Sequence, residues 1–286
     1  MAKILIVGCG YVGTALAKSL LKESRHEVWG LRRQDVSSIE HPRFHTITCD
    51  VNDSDLREQI PASISHVVYC VGAKSRDPDR YRHAYCTGLT HVIEALHAIR
   101  APVERLIFTS STAVYAQCEG EGVDEDSSAD PITWNGKILK EAETIALESG
   151  FSSVVLRLAG IYGPTRTSFM QKVLRGEASS SAAYTNRIHR DDCAGALSHL
   201  LFLDSPEFCY LGVDEEPATR LEVTHWLRNA MQQRGLRAAE PRHEEKTMSL
   251  NKQCSSVRLR HSGYCFRFPS YREGYSALLD EFIVAQ

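Results

Sequence analysis

The feature that most limits what this chain can become is its opening run, KILIVGCGYVG, an apolar segment that ends in Gly8, Gly10 and Gly13 and leads into a helix-forming stretch. A short Ile/Val-rich segment followed by glycines that open a helix reads as strand, tight turn, helix. Gly8 permits the turn, Gly10 lets a ligand's pyrophosphate approach the backbone, and Gly13 allows the helix to pack close to the strand. Tyr11 and Val12, between the second and third glycines, open the helix, whose N-terminus supplies N–H groups and a partial positive charge for an anion.

The rest of the first 160 residues continues the pattern. Strands are expected at KILIVG, HEVWGL, FHTITC, HVVYCVG, RLIFTSS and SSVVLRLAGIYG, with helices at about 12–23, 53–59, 80–99 and 134–149. Strands rich in Val, Ile and Leu that alternate with helices build a parallel sheet covered on both faces. The expected fold is therefore α/β, a Rossmann-type doubly wound parallel sheet over residues 1–160. A smaller mixed C-terminal substrate lobe follows over 161–286, with the chain partly returning to the first domain. The stretch EASSSAAYTNR, residues 177–187, reads as an exposed loop, and IHRDDCAGALSHLLFL as a helix capped by Asp191 or Asp192. Thr219-x-x-Glu222 and Ser270-x-x-Glu273 carry the capping-box pattern.

The second strand ends LRRQD, where an NAD-selective site would offer a carboxylate to the adenosine ribose; Arg32 and Arg33 stand there instead. Two guanidinium groups match a 2′-phosphate, so NADP is expected ahead of NAD, although Asp35 is within reach of a ribose. Asp50, closing the third strand in TCDV, is placed for the adenine or as a turn former. Gly72, after the fourth strand in VGAKS, joins the cofactor-binding set, and Lys74 two residues later is a further candidate.

Composition excludes several classes. The chain is 43% hydrophobic and 24% charged with a net charge of -3, which fits a folded domain and leaves no basic footprint for nucleic acid. The arginines near the C-terminus (258, 260, 267, 272) read as a solvated face. The N-terminal apolar run is too short for a signal peptide or a membrane span, so a cytoplasmic protein is expected. Nine cysteines stand singly, without metal-ligand spacing.

Together with TSSTAVYA at 109–116, RLAGIYGP at 157–164, NRIHRDDCA and PSYREGY, the glycine turn gives a chain that resembles the extended short-chain dehydrogenase/reductase superfamily, the NAD-dependent epimerase/dehydratases. It is most similar to atypical members with a GCGYVG turn and a central helix beginning WNG. The resemblance implies four active-site positions: an Asn on a crossover helix, a Ser or Thr ending the fifth strand, and a Tyr and Lys on the next helix. Carried over, the Ser falls on Ser111, the Asn position holds Tyr85, the Tyr position Asn135, and the Lys position Leu139. Only the serine is kept.

A tyrosine of ordinary pKa near 10 must be lowered by about three units, roughly 4 kcal/mol, to act as a base near neutrality. Neither Asn135 nor Leu139 carries a titratable group. Tyr85, Tyr162 and His189 are the candidate replacements. Ser111, Tyr162 and His189 form the expected catalytic set, although His189 reads more readily as a packing or capping residue beside Asp191 and Tyr85 as a helix packing residue. The reaction the resemblance implies is hydride transfer at a hydroxyl or carbonyl carbon of a small molecule, the family's commonest substrates being nucleotide sugars. The alternative is an NADP(H)-binding sensor without turnover; a homo-oligomer stays open.

Overall fold

The structure is a computed structural model that describes residues 1–23, 25–34, 39–73, 77–179, 181–240 and 251–284. Asp35, Lys74 and Ser180 of the 177–187 loop lie outside the described residues. In chain order the elements are β1 (Lys3–Val7), α1 (Tyr11–Glu23), β2 (Glu27–Arg32), β3 (Phe44–Thr48), α2 (Leu56–Gln59), β4 (His66–Tyr69), α3 (Pro78–Arg82), a π turn (His83–Thr87), α4 (Gly88–Ala98) and β5 (Arg105–Ser111). A 3-10 turn (Thr112–Val114), β6 (Glu121–Val123), α5 (Trp134–Leu147), β7 (Ser153–Leu158), β8 (Gly160–Tyr162), α6 (Ser168–Leu174), β9 (Tyr184–Thr185), β10 (Arg187–His189) and α7 (Arg190–Phe202) follow. The chain closes with β11 (Cys209–Gly212), β12 (Ala218–Thr219), α8 (Arg220–Gln233), β13 (Lys252–Cys254), α9 (Val257–His261) and α10 (Tyr271–Val284).

Seven strands form one sheet in the order β11-β7-β5-β4-β1-β2-β3. Pairing is parallel from β3 through β7. β1 lies between β2 and β4, so the strand order reverses there, and the glycine turn leaves β1 at the reversal. Ile4, Leu5, Ile6 and Val7 are fully buried, as a central strand covered on both faces requires. The chain divides into two compact units: Met1–Ala116 with Ser128–Leu158 and Cys193–Tyr210, and Gln117–Ser127 with Ala159–Asp192 and Leu211–Gln286. Among the described residues no helix is long and apolar enough to cross a membrane.

In the first unit, α5 is fastened by a charged contact. Arg157 on β7 gives Nε and Nη2 to the two carboxylate oxygens of Glu143, at 2.9 and 2.7 Å, and Ser110 of β5 donates its hydroxyl to the same carboxylate at 2.7 Å. The third guanidinium nitrogen donates to the Tyr115 hydroxyl at 2.6 Å. Glu143 is 1% and Arg157 4% exposed, so each charge depends on the other for compensation.

The second unit packs α6, α8 and α10 around Met170, Val223, Leu227, Met231, Tyr271 and Leu279, with three two-stranded pairings, β10-β8, β12-β9 and β13-β6. The Thr219–Glu222 capping box is complete, and Glu273 accepts the Ser270 backbone N–H at 3.0 Å. The C-terminal arginines are ion-paired: Arg258 with Asp126, Arg260 with Glu215, Arg267 with Asp191 and Arg272 with Glu216.

Several elements differ from the sequence reading. SSVVLRLAGIYG is two strands, because Gly160 leaves the main sheet and its N–H turns to the Asn186 carbonyl at 3.1 Å. The helix expected over 80–99 is interrupted by the π turn, and the one expected over 53–59 has four residues. Tyr184 and Thr185, read as loop, pair with Thr219 and Ala218. Asp191 and Asp192 lie inside the first turn of α7 and neither caps it; the cap is the His189 ring, whose Nδ1 accepts the Asp191 N–H at 3.2 Å.

Removing one partner of a buried pair leaves the other charge uncompensated, so Glu143→Ala is expected to cost about 3–5 kcal/mol in urea unfolding followed by circular dichroism. A loss below about 1 kcal/mol would show that α5 is held by its apolar face alone.

Candidate functional site

The glycine turn is built from contacts that only glycine allows. Gly8 has φ +87°, and a Cβ there would lie 2.6 Å from the Val71 nitrogen. Its N–H and that of Cys9 both donate to the Leu31 carbonyl, at 2.9 and 3.0 Å, which ties the turn to β2. At Gly13 a Cβ would meet the Gly8 carbonyl at 2.8 Å, so α1 lies directly on the turn. Gly10 is different: among the described residues the only heavy atom near a Cβ there is the Gly8 oxygen, at 3.8 Å. The backbone is thus open at Gly10 and closed at Gly8 and Gly13, and Tyr11 and Val12 start α1 beside the opening. This is the shape a pyrophosphate needs to reach a helix N-terminus, and the residues present fit a dinucleotide.

Arg32 closes β2 with its guanidinium 3.5 Å from the Cys9 carbonyl, so its charge stands at the turn. Arg33 is exposed and lies 3.8 Å from Asp50. Asp50 also accepts the Asn52 backbone and side-chain N–H groups at 3.0 and 2.9 Å, which is the work of a turn former. Gly72 follows β4, and among the described residues nothing lies within 4 Å of a Cβ position there, in the loop whose Val71 touches Gly8.

The positions of the family's tetrad lie in the same unit. Ser111 ends β5, and its hydroxyl accepts the Ala113 N–H at 3.2 Å. Leu139 is 1% exposed and packs in the core, whereas Lys140 turns to Glu143 at 3.4 Å. Asn135, on the first turn of α5, is half-buried and interacts with the Tyr81 hydroxyl. Tyr85 stands in the π turn with its ring 4.5 Å from that of Tyr81.

Tyr162 and His189 belong to the second unit, where the β8-β10 register sets them side by side with ring centroids 5.3 Å apart. The Tyr162 hydroxyl is buried without a hydrogen-bond partner among the described residues, directly over Gly274, where a Cβ would come within 1.8 Å of it. His189 is 2% exposed, and Phe268 covers it at 4.0 Å. Burial pushes its pKa down more strongly than Asp191 raises it, so the ring is neutral near pH 7. Capping explains Nδ1; Nε2 is buried and unpartnered.

Three groups that the sequence reading did not single out complete this region. Arg187 and Arg220, with Arg166, Asn186, Tyr162 and Tyr275, line a cavity of about 700 Å³. Arg187 donates to the Thr185 carbonyl at 3.0 Å, and burial followed by the charge of Arg187 lowers the pKa of Arg220. Asp214 is 1% exposed, and among the described residues neither of its oxygens completes a hydrogen bond. Burial pushes it up to about 8, although the Arg187 charge and the Glu216 backbone pull the other way. Asp192 is held differently, by the Arg267 and Phe268 N–H groups at 2.7 and 3.0 Å and the Tyr264 hydroxyl at 2.9 Å. No local signal marks Asp214, because GVDEE reads as an ordinary polar loop.

A doubly wound parallel sheet with a glycine turn open to a pyrophosphate at its reversal defines a dinucleotide-binding protein of the short-chain dehydrogenase/reductase type. The family model for the NAD dependent epimerase/dehydratase family matches residues 4–180, and this chain belongs to that family. Protein YeeZ of Escherichia coli K12 is 30% identical over 212 residues, 70% of this chain and 73% of that protein. The structure of a candidate NAD-dependent epimerase/dehydratase from Methylobacillus flagellatus is 35% identical with a TM-score of 0.80, covering 99% of both chains. A UDP-glucuronic acid 4-epimerase from Bacillus cereus, solved with NAD, shares the fold at 20% identity, with a TM-score of 0.81 over 97% of this chain and 96% of that one.

Asp214 supplies a pH test. Its folded pKa lies above the ordinary value near 4, so protonation favours the fold; that stability is full below about pH 4 and is lost as pH rises through about 8. Asp214→Asn is expected to flatten this decline and to be more stable than the parent at pH 9 by at least about 2 kcal/mol, with little difference at pH 4. Thermal unfolding curves that stay parallel from pH 4 to 9 would show that Asp214 is not buried as a neutral acid.

Proposed function

We propose that this protein is a cytoplasmic NAD(P)-dependent oxidoreductase of the epimerase/dehydratase type that acts on a nucleotide sugar. The dinucleotide lies on the Gly8–Gly13 turn, and the substrate's diphosphate is taken by the cavity of the second unit. The observation that carries this reading is the arginine cavity. Arg166, Arg187 and Arg220 line one space, and the acid beside Arg187, Asp214, is held largely neutral below about pH 8, so the cavity has an excess of positive charge that an anion would balance. Guanidinium groups bind diphosphate oxygens in a fork geometry that other side chains do not match. The Bacillus cereus relative of this fold is a UDP-glucuronic acid 4-epimerase, which supports a substrate of the same chemical class.

When bound, the nicotinamide supplies the hydride donor or acceptor. The chain's own part is to bind and orient: Ser111 gives a hydrogen bond to the reacting oxygen, while Tyr162 and His189 serve as wall and frame of the second unit's cavity. Within the nicotinamide nucleotides we place NADP ahead of NAD, because Arg32 stands at the turn and Arg33 on the open end of β2 where a 2′-phosphate would lie.

Titration calorimetry tests both halves. Arg32→Ala with Arg33→Ala is expected to weaken NADP at least tenfold and NAD by less than threefold. Equal losses for the two nucleotides would show that neither arginine reads the phosphate. Arg220→Ala is expected to weaken UDP-glucose or UDP-glucuronic acid at least tenfold with NADP affinity unchanged. If the parent binds no nucleotide sugar, the substrate class is wrong; tight NADPH binding with no oxidation across carbonyl compounds and nucleotide sugars would turn the reading towards the sensor.

A further inference from the structure

The family's tyrosine is missing from α5, yet two tyrosine hydroxyls and an asparagine amide come together beside it. Tyr81 on α3 and Tyr85 in the π turn stand four residues apart on one face, with ring centroids 4.5 Å apart. Trp134, at the start of α5, closes on Tyr81 edge-on at 5.2 Å, and Tyr85 meets Phe108 of β5, three residues before Ser111, at 6.5 Å.

The polar groups of this cluster lie next to one another: the Tyr81 hydroxyl beside the Asn135 side chain and the Tyr85 hydroxyl, and the Tyr85 oxygen beside the backbone N–H of Ala73. Ala73 follows Gly72 in the loop whose Val71 presses on Gly8, so the Tyr85 oxygen borders the loop that carries the glycine turn's contact. The Ala73 N–H and the Tyr81 hydroxyl favour the ionised form of Tyr85, against burial, which pushes the other way and dominates.

The π turn is also fixed in place. The buried Tyr69 hydroxyl, at the end of β4, donates to the Ala84 carbonyl, and the Cys86 thiol lies 3.5 Å from the Ile138 carbonyl of α5. Gly88 is required beneath Tyr69, since a Cβ there would lie 2.7 Å from the hydroxyl. Single π turns inside helices occur frequently at functional sites, and this one changes the register so that residue 85 is braced from both β4 and α5.

We propose that Tyr85, oriented by Tyr81 and Asn135, is the proton-transferring group of this protein: the hydroxyl the family carries on α5 is supplied here from the π turn. Resting on the nicotinamide-dependent reading above, Tyr85 as phenol gives one proton to the substrate oxygen when a carbonyl is reduced and is left as phenolate. As phenolate it takes one proton from a substrate hydroxyl in the reverse direction. The hydride moves between the substrate carbon and the nicotinamide, so charge and electrons balance. Asn135 and Tyr81 are positioning residues. The titratable and charged groups around Tyr85 are Tyr81 on α3, Tyr69 on β4, Cys86 in the turn, and Arg82 on α3, which pairs with Glu141 on α5. Among the described residues no lysine acts on Tyr85, whose pKa burial raises. A charge that would lower it is that of the oxidised nicotinamide.

The test reads the proton itself. The full chain, labelled with ζ-13C tyrosine, is titrated by NMR with saturating NADP+ and with NADPH, saturation being checked by calorimetry, and Tyr85→Phe assigns the resonance. If that variant does not fold, Tyr85→Leu assigns the resonance by its loss. The expected result is a Tyr85 midpoint at least about one pH unit lower with NADP+ than with NADPH, and a higher midpoint in Tyr81→Phe under both conditions. A Tyr85 midpoint equal in the two saturated states overturns this assignment and leaves the nicotinamide reading standing. Absence of binding to NAD+ and NADP+ overturns both.

Discussion

The buried pair of Glu143 and Arg157 is the constraint on which the site in the first unit depends. It joins α5 to β7 through the guanidinium and to β5 through Ser110, so one carboxylate fixes how a helix lies against two strands. Asn135 and Leu139 lie on the same helix as Glu143, so the positions they inherit from the family are set by that contact. Exchange for a hydrophobic pair of equal volume would be neutral in many proteins. Here the polar form also fixes rotation, because a bidentate guanidinium accepts a carboxylate in few orientations.

The second unit solves a related problem in the opposite way. Asp192 is buried and satisfied by two backbone N–H groups and a tyrosine hydroxyl, which holds the segment 264–268 against the start of α7. Asp214 is equally buried, the Arg187 charge and the Glu216 backbone offset that burial only in part, and it answers by keeping its proton. A neutral Asp214 and a neutral His189 leave Arg166, Arg187 and Arg220 as the charges that line that cavity among the described residues. On the nucleotide-sugar reading, electrostatic selection of an anion there would follow from which buried groups decline to ionise.

Much of this architecture was legible in the chain because its signals are local. β1, β4 and the first half of β5 are rich in Val, Ile, Leu and aromatic residues, and the three glycines announce a turn in which Gly8 lies against Val71 and Gly13 against Ile6, with Gly10 open. Thr219 and Glu222 cap α8 with residues three apart. What was hidden rests on distant partners. Glu143 looks like one more polar residue in WNGKILKEAE, since Ser110 and Arg157 reveal its burial only in the folded chain. Asp192 read as a cap because its true partners lie more than seventy residues later. β6 and β13 have three residues each and exist only as a pair. The π turn in HAYCT has no residue that marks it, being made by Tyr69 reaching the Ala84 carbonyl.

The exchange at positions 85 and 135 is best weighed by its energies. In the family arrangement a lysine charge lowers the tyrosine. No described lysine does so here; the Ala73 N–H and the Tyr81 hydroxyl act on Tyr85 in the same direction as such a charge would. Burial opposes them, and the net direction at Tyr85 without a ligand is upward. Donors alone therefore leave the phenol protonated, ready to give its proton and unable to take one. A cation arriving with the cofactor changes that balance, and it does so only in the oxidised state. The swap of Tyr and Asn between the two helices would in this way convert a base held ready by lysine into one made ready by the cofactor's own charge.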